Sequence, residues 1–339
     1  MMIAKQQTQP VSGKWSSQIP RDSDAVVAIP ERIVDSCLEF VSCEPETFKH
    51  GEAVLSWSRI IKRRLLQGPG FVCLRTQDGG YSTNDFRTVY AGISRSLGQL
   101  NTRYGEFFDV MDRGLDHTKQ TVPVSKTRAS TGFHTDSSAA NYCPAVVGLL
   151  CLQPAQSGGE SLLGNAANLY SWLAKNYPRS LAALTRPIHR DVITPGTEHD
   201  SDAIRNNAFP IFSRTENSVQ FRYMRYWIET AYKKLNEPLP GGLTRAMNLI
   251  DSYLFDTTNT YSRMLNRGEI LFVNNHHLCH SRTAFVDSPE QDQKRILVRT
   301  WIDNINHTPP QGRLIESSSG KITNRKASAQ IVFDPALAS

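Results

Sequence analysis

The sequence predicts a mixed α+β chain, a β-barrel with helical additions. Three observations lead there. Residues 294–302 alternate between Ile296/Val298/Thr300/Ile302 and Arg295/Leu297/Arg299/Trp301, the two-residue period of a strand. Residues 146–152 are an apolar run of strand length, whereas residues 53–67 place apolar side chains at helical spacing. With 339 residues, the chain is long for one average domain but suits a single large barrel with helices added.

Taken in order, residues 1–25 read as a polar arm rich in Gln, Ser and Pro, without the apolar core of a signal peptide. The helix over 53–67 turns Val54, Leu55, Ile60, Ile61, Leu65 and Leu66 inward and Arg59, Lys62, Arg63 and Arg64 to solvent. Gly68-Pro69-Gly70 stops it before a strand at 71–74. A second helix, near 84–97, ends at Gly98. Residues 101–131 break into short polar pieces carrying Arg103, Tyr104, Asp109, Asp112, Arg113, Asp116 and His117, so they read as loops. His117 reads as an exposed loop residue rather than a base.

The buried strand at 146–152 leads through a Gly158-Gly159 turn into a strand from Glu160 to Leu163, and Asn165 suits the N-cap of a helix through Leu169, Trp172, Leu173 and Tyr177. Residues 188–194 read as a strand. Residues 220–228 are aromatic and basic together: either Arg222 or Arg225 anchors an anion in a substrate pocket, or both are solvated beside an aromatic core strand. Residues 243–256 read as a helix, with Met247, Ile250, Leu254 and Phe255 at helical spacing. Beyond Asp303 the composition turns to Pro, Ser and Gly. This divides the chain into an arm (1–25), one domain (26–303) and a C-terminal extension (304–339).

The net charge of +6, from 38 basic and 32 acidic residues, is scattered, with no basic block interleaved with aromatics. No nucleic-acid partner is expected. No segment has the apolar length of a membrane span, which predicts a soluble chain without a membrane partner. Cys37, Cys43, Cys73, Cys143, Cys151 and Cys279 lack zinc-site spacing and the density of a secreted scaffold, so reduced thiols in a cytoplasm are expected. A homo-oligomer is compatible with all of this.

The chemistry concentrates in Gly132-Phe133-His134-Thr135-Asp136-Ser137-Ser138. On a strand, His134 and Asp136 share a face. One more imidazole completes a 2-His-1-carboxylate triad, which leaves positions open on Fe(II) for a cosubstrate and oxygen. His276, His277 and His280 compete for that place, and spacing alone does not choose between them. Downstream, Arg295 and Arg299 share a strand face; a guanidinium turned into a barrel beside a metal suits a bidentate grip on a carboxylate. The competing reading is two surface arginines on an edge strand.

Five stretches in order carry a family resemblance: Phe133-His134-Thr135-Asp136; Leu149 to Pro154 leading to Ser157-Gly158-Gly159-Glu160-Ser161; Arg267-Gly268-Glu269 through Asn275; His280-Ser281-Arg282-Thr283-Ala284-Phe285; and Lys294 to Arg299. From about residue 68 to 302 the chain resembles the TauD/TfdA branch of the Fe(II)/2-oxoglutarate-dependent dioxygenases, near the clavaminate synthase-like group. The resemblance implies a double-stranded β-helix, or jelly-roll barrel, with flanking helices and a long helical insertion between barrel strands. It makes His134, Asp136 and His280 the iron ligands. Arg295, helped by the Ser161 hydroxyl, would hold the distal carboxylate of 2-oxoglutarate, and Arg299 would face the substrate. Arg103, Tyr104, Arg222 and Arg225 are further substrate candidates.

The implied activity is oxidation, by hydroxylation, of a C–H bond in a small anionic or amino-acid-like molecule, with O2 consumed and succinate and CO2 released. Desaturation, cyclisation or epoxidation by the same oxidant is the alternative. Halogenating relatives lack the carboxylate that Asp136 supplies. From other classes, a zinc hydrolase or a non-catalytic binding protein would use the same barrel.

Overall fold

The computed structural model describes residues 14–15, 19–42, 49–77, 80–103, 105–114, 127–139, 142–191, 200–215, 218–290 and 293–305. Its strands, in chain order, are β1 (Val26–Ala28), β2 (Phe71–Arg75), β3 (Gln99–Leu100), β4 (Phe108–Val110), β5 (Val146–Gln153), β6 (Ser157–Gly158), β7 (Ser161–Asn165), β8 (Ile188–His189), β9 (Ala208–Phe209), β10 (Phe212–Arg214), β11 (Val219–Phe221), β12 (Thr260–Arg263), β13 (Ile270–Asn274), β14 (Leu278–Arg282), β15 (Phe285–Val286) and β16 (Ile296–Asn304). The helices are α1 (Asp22–Ala25), α2 (Glu31–Ser42), α3 (Lys49–Leu66), α4 (Thr83–Leu97), α5 (Ala166–Asn176), α6 (Pro178–Leu184), α7 (Ser201–Asn206), α8 (Arg225–Leu235) and α9 (Leu243–Phe255).

Seven strands form one sheet in the order β1-β2-β13-β5-β16-β3, with β4 also on β16; a smaller sheet runs β12-β7-β14. Because side chains alternate along a strand, each sheet feeds two layers. Phe71, Cys73, Cys151, Leu271, Val273 and Leu297 of the large sheet meet Leu163, Tyr261 and Leu278 of the small one inside the barrel. The opposite face of the large sheet, with Val72, Val146, Leu150, Phe272, Val298 and Ile302, packs on Ile33, Ile61, Leu65, Phe86 and Tyr90 of α2, α3 and α4. The outer face of the small sheet, through Leu162 and Cys279, packs on α5 and α9. Between β7 and β12 the chain runs through α5–α9 and β8–β11.

The helix read over 53–67 is α3, buried at Val54, Trp57, Ile61 and Leu65; Ile60, expected inward, is half exposed because it falls off that stripe. Asn165 caps α5 by accepting from the Asn168 N–H at 3.0 Å. Residues 14–15 and 19–25 do more than the polar arm predicts: Trp15 is buried and donates from its indole to the Pro69 carbonyl at 2.8 Å, and α1 starts at Asp22.

Three local expectations are corrected. Residues 132–138 make one bridge, His134 with His280, and then turn, with Ser137 at φ 58°. The stretch 220–228 leaves the sheet after Phe221 and enters α8 at Arg225, because Ile228, Ala231, Tyr232 and Leu235 bury a helical stripe. The loop stretch 101–131 contains β4, whose three residues are too short to show a period. Tyr104, Asp116, His117, residues 192–199 and residues 306–339 lie outside the described residues.

Candidate active site

His280 lies in the middle of β14, on the inner face shared by Leu278 and Arg282. His134 is brought against it by backbone bonds in both directions, N–H to carbonyl at 2.9 and 2.8 Å. Asp136 follows two residues on, its backbone clamped by Asn275: the Asp136 N–H donates to Asn275 Oδ1 at 2.8 Å, and Asn275 Nδ2 donates to the Asp136 carbonyl at 3.0 Å. His134 Nε2 and His280 Nε2 then lie 3.7 and 3.5 Å from Asp136 Oδ1. One donor atom from each of the three residues falls within 4.8 Å of the others.

His276 and His277 are occupied elsewhere. His276 Nε2 is 3.4 Å from the Cys143 carbonyl, and His277 Nε2 is 3.0 Å from Ser218 Oγ.

The donor chemistry fits a divalent ion of the iron kind. Burial, together with the neighbouring His280, pushes His134 down to about 4, against the pull of Asp136. The imidazole is therefore neutral near pH 7, as a ligand must be. Its Nδ1 lies 2.8 Å from the Gly132 carbonyl, so the proton sits there and the Nε2 lone pair faces the cluster. Burial works to raise Asp136, but Arg299, His280 and His134 outweigh it and hold the carboxylate well below its usual range. Two imidazoles and one carboxylate, gathered on one side, leave the remaining positions of a six-coordinate ion open.

Two residues fix that carboxylate. The Trp301 indole N–H donates to Asp136 Oδ2 at 2.7 Å, and Arg299 Nη1 donates to the same oxygen at 3.2 Å. Arg299, expected on the substrate side, thus lies on the proposed ligand, with its guanidinium 4.3 Å above the Phe108 ring. Trp301, Asn275 and Arg282 escaped the sequence reading. The strand period did put Trp301 on the face of Arg295 and Arg299, and Asn275 and Arg282 stand in stretches that carry the family resemblance, which gave them no role.

Arg295 immediately precedes β16 and is only 4% exposed. Burial lowers its pKa. Its Nη1 has no hydrogen-bond partner, and Gly159, at φ +85°, would put a Cβ 3.1 Å from its Nε. A side chain at Gly159 would therefore press on the guanidinium. Ser161 is buried on β7, directly across from Arg282.

The other candidates part company. Arg225, at the start of α8, is spent on Glu229 at 2.7 Å and Asp251 at 2.8 Å, which removes it from the anchor role. Arg222 packs its guanidinium 3.8 Å from the Phe209 ring, shared with Arg190 at 3.9 Å, and burial lowers its pKa. Arg103 is exposed on the loop after β3. Among the described residues, no helix is long and apolar enough to cross a membrane.

The family described as "Taurine catabolism dioxygenase TauD, TfdA family" matches residues 50–301. FR-33289 synthase of Streptomyces rubellomurinus is 25% identical over 248 residues, 71% of this chain and 70% of that one. The fold is similar to asparagine oxygenase solved with Fe(II), 2S,3S-3-hydroxyasparagine and succinate, at a TM-score of 0.60 and 17% identity over 82% of this chain and 93% of that one. It is equally similar to the non-heme iron oxygenase OrfP solved with Fe and alpha-ketoglutaric acid, at a TM-score of 0.60, 13% identity and the same coverage. At such identities the likeness speaks for a shared mixed α/β fold with a jelly-roll core.

Proposed function

Because the chain belongs to the TauD, TfdA family of dioxygenases, we propose that it hydroxylates an unactivated C–H bond of a small anionic or amino-acid-like molecule. Fe(II) and 2-oxoglutarate, with O2, are the cofactor and cosubstrates of this non-haem iron enzyme class. His134, Asp136 and His280 would hold the iron; Arg295 and the Ser161 hydroxyl would hold the distal carboxylate of 2-oxoglutarate. When bound, the iron would activate O2 as the oxidant, with 2-oxoglutarate as the co-reductant that leaves as succinate and CO2.

The protein's own share is position and exclusion. The Gly132 carbonyl keeps the His134 proton on Nδ1. Arg299 and Trp301 hold Oδ2 of Asp136, so Oδ1 faces the two imidazoles. The inner apolar residues Leu163, Leu278 and Leu297 keep water from the space behind them. We assign Arg222 to the substrate's anionic end, on its partly buried guanidinium stacked against the Phe209 ring. Arg103 and Tyr104 are kept as further substrate candidates, Tyr104 lying outside the described residues. Residues 26–303 form the catalytic unit in this reading, with 166–255 inserted between barrel strands.

The observation that carries the proposal is the meeting of His134, Asp136 and His280 within 4.8 Å. Anaerobic titration of metal-free protein with Fe(II) and 2-oxoglutarate tests it. A visible charge-transfer band is expected when both bind, and it is lost in His134→Ala and His280→Ala. A band that survives in His280→Ala and disappears in His276→Ala would move the third ligand.

A further inference from the structure

We propose that Arg282 is a second cationic wall of the cosubstrate pocket, meeting the distal carboxylate of 2-oxoglutarate together with Arg295. The inference rests on the function proposed above and adds a binding residue to it.

Alternation along β14 puts Leu278, His280 and Arg282 on the inner face, and Arg282 sits directly opposite Ser161 on β7. Its guanidinium lies 4.8 Å from the Phe285 ring, and that of Arg295 lies 5.0 Å from the same ring. Both residues are nearly inaccessible, at 9% and 4% exposure. Two like charges thus share one ring away from water, where their repulsion is weakly screened.

Among the described residues, no carboxylate forms an ion pair with either guanidinium. Asp287, whose charge acts on both guanidinium groups, uses Oδ1 to accept the Arg295 backbone N–H at 2.7 Å and leaves Oδ2 without a partner, and Asp112 pairs with Arg128 at 3.1 Å. Arg282 gives Nη2 to the carbonyls of Thr127, at 2.9 Å, and Ala129. Its Nε and the Nη1 of Arg295 have no partner. Buried cations with unused donors are costly unless an anion completes them. One carboxylate has about four lone-pair sites, enough for a hydroxyl at Ser161 and both guanidinium groups. The bonds to Thr127 and Ala129 set the guanidinium in place, and Nε is left for the ligand.

The test is equilibrium binding to the Fe(II)-loaded full chain without oxygen, read by the charge-transfer band. It compares 2-oxoglutarate with 2-oxopentanoate, which keeps the chelating end but lacks the distal carboxylate. In Arg282→Gln, 2-oxoglutarate should bind roughly 10- to 100-fold more weakly, as befits loss of a charge-assisted contact. 2-Oxopentanoate should bind as it does to the unaltered protein. An equal loss for both ligands means that Arg282 only ties down the 127–131 segment and overturns the proposal; so does no loss for either. If Arg282→Gln does not fold, a crystal of the unaltered protein with 2-oxoglutarate decides. Arg282 Nε within hydrogen-bond reach of the distal carboxylate supports the proposal, and Nε beyond that reach overturns it. Absence of any band in the unaltered protein would instead count against the proposed function.

Discussion

Ser161 has an arginine across from it on each side of the small sheet, Arg263 on β12 and Arg282 on β14. The two sides differ in how charge is matched. Arg263, 7% exposed, pairs with Asp22 at 2.7 Å and Glu269 at 2.5 Å, and Glu269 also takes Arg75 at 2.9 Å. Arg282 has Arg295 for a neighbour and carbonyls for partners, and Asp112 and Asp287 act on its charge without an ion pair to it among the described residues. Each of the two sheet arginines leaves its Nε without a partner, so a stray donor does not separate them. What separates them is the carboxylate. A buried cation ion-paired by the fold's own acids belongs to the architecture, whereas one that no acid pairs directly is set aside for a ligand.

Removing a charge on each side should break different things. Arg263→Ala strands the buried Glu269 and should cost about 3 kcal/mol of stability, the low end for a broken buried pair because Arg75 remains. Urea unfolding measures it. The folded fraction should still bind 2-oxoglutarate normally, and a weakened affinity would erase the distinction. Arg295→Gln should do the reverse. Apparent 2-oxoglutarate affinity should fall about 10- to 150-fold, equivalent to about 1.5–3 kcal/mol, with the unfolding midpoint little changed. Unaltered affinity in that variant would remove Arg295 from the pocket.

A third variant extends the comparison to the metal end, where Arg299 does have an acid, Asp136, at 3.2 Å. By the same rule Arg299 is partly architecture, and Trp301 shares its task at Asp136 Oδ2. Trp301→Phe keeps the ring and deletes the donor, so Fe(II) affinity should drop about tenfold, the smaller end for an outer-sphere partner of a ligand. Arg299 still holds the same oxygen. Unchanged Fe(II) affinity in an anaerobic titration would mean that the indole contact does nothing for the metal.

How much of this was legible follows from length scale. The strand at 296–304 shows in the sequence as a two-residue period, those at 71–75 and 146–153 show as short apolar runs because both their faces are buried, and His134, Asp136 and His280 stand in stretches that resemble a family. The single bridge at His134 has no period to read. Residues 225–228 look like a strand because Tyr226, Trp227 and Ile228 favour one, yet the apolar spacing through Leu235 outweighs that local preference. The partners of Asp136 and Arg282 are fixed by contacts between residues 139 to 165 positions apart, such as Asn275 with Asp136 and Trp301 with Asp136. Such pairings leave no trace in local sequence.

The smallest expected effect is the sharpest check on the rule. Arg225 was a candidate anion anchor on composition, but it is held by Glu229 and Asp251, with about a third of its side chain exposed. Solvent screens such pairs, so Arg225→Ala should cost only about 0.2–1 kcal/mol. Asp251 also keeps the Tyr223 hydroxyl, which donates to it at 3.0 Å, so the acid is not stranded. Neither 2-oxoglutarate affinity nor the charge-transfer band should move. A tenfold loss of 2-oxoglutarate binding in Arg225→Ala would show that an arginine already closed by acids still serves the pocket. Charge matching would then no longer sort the arginines of this barrel.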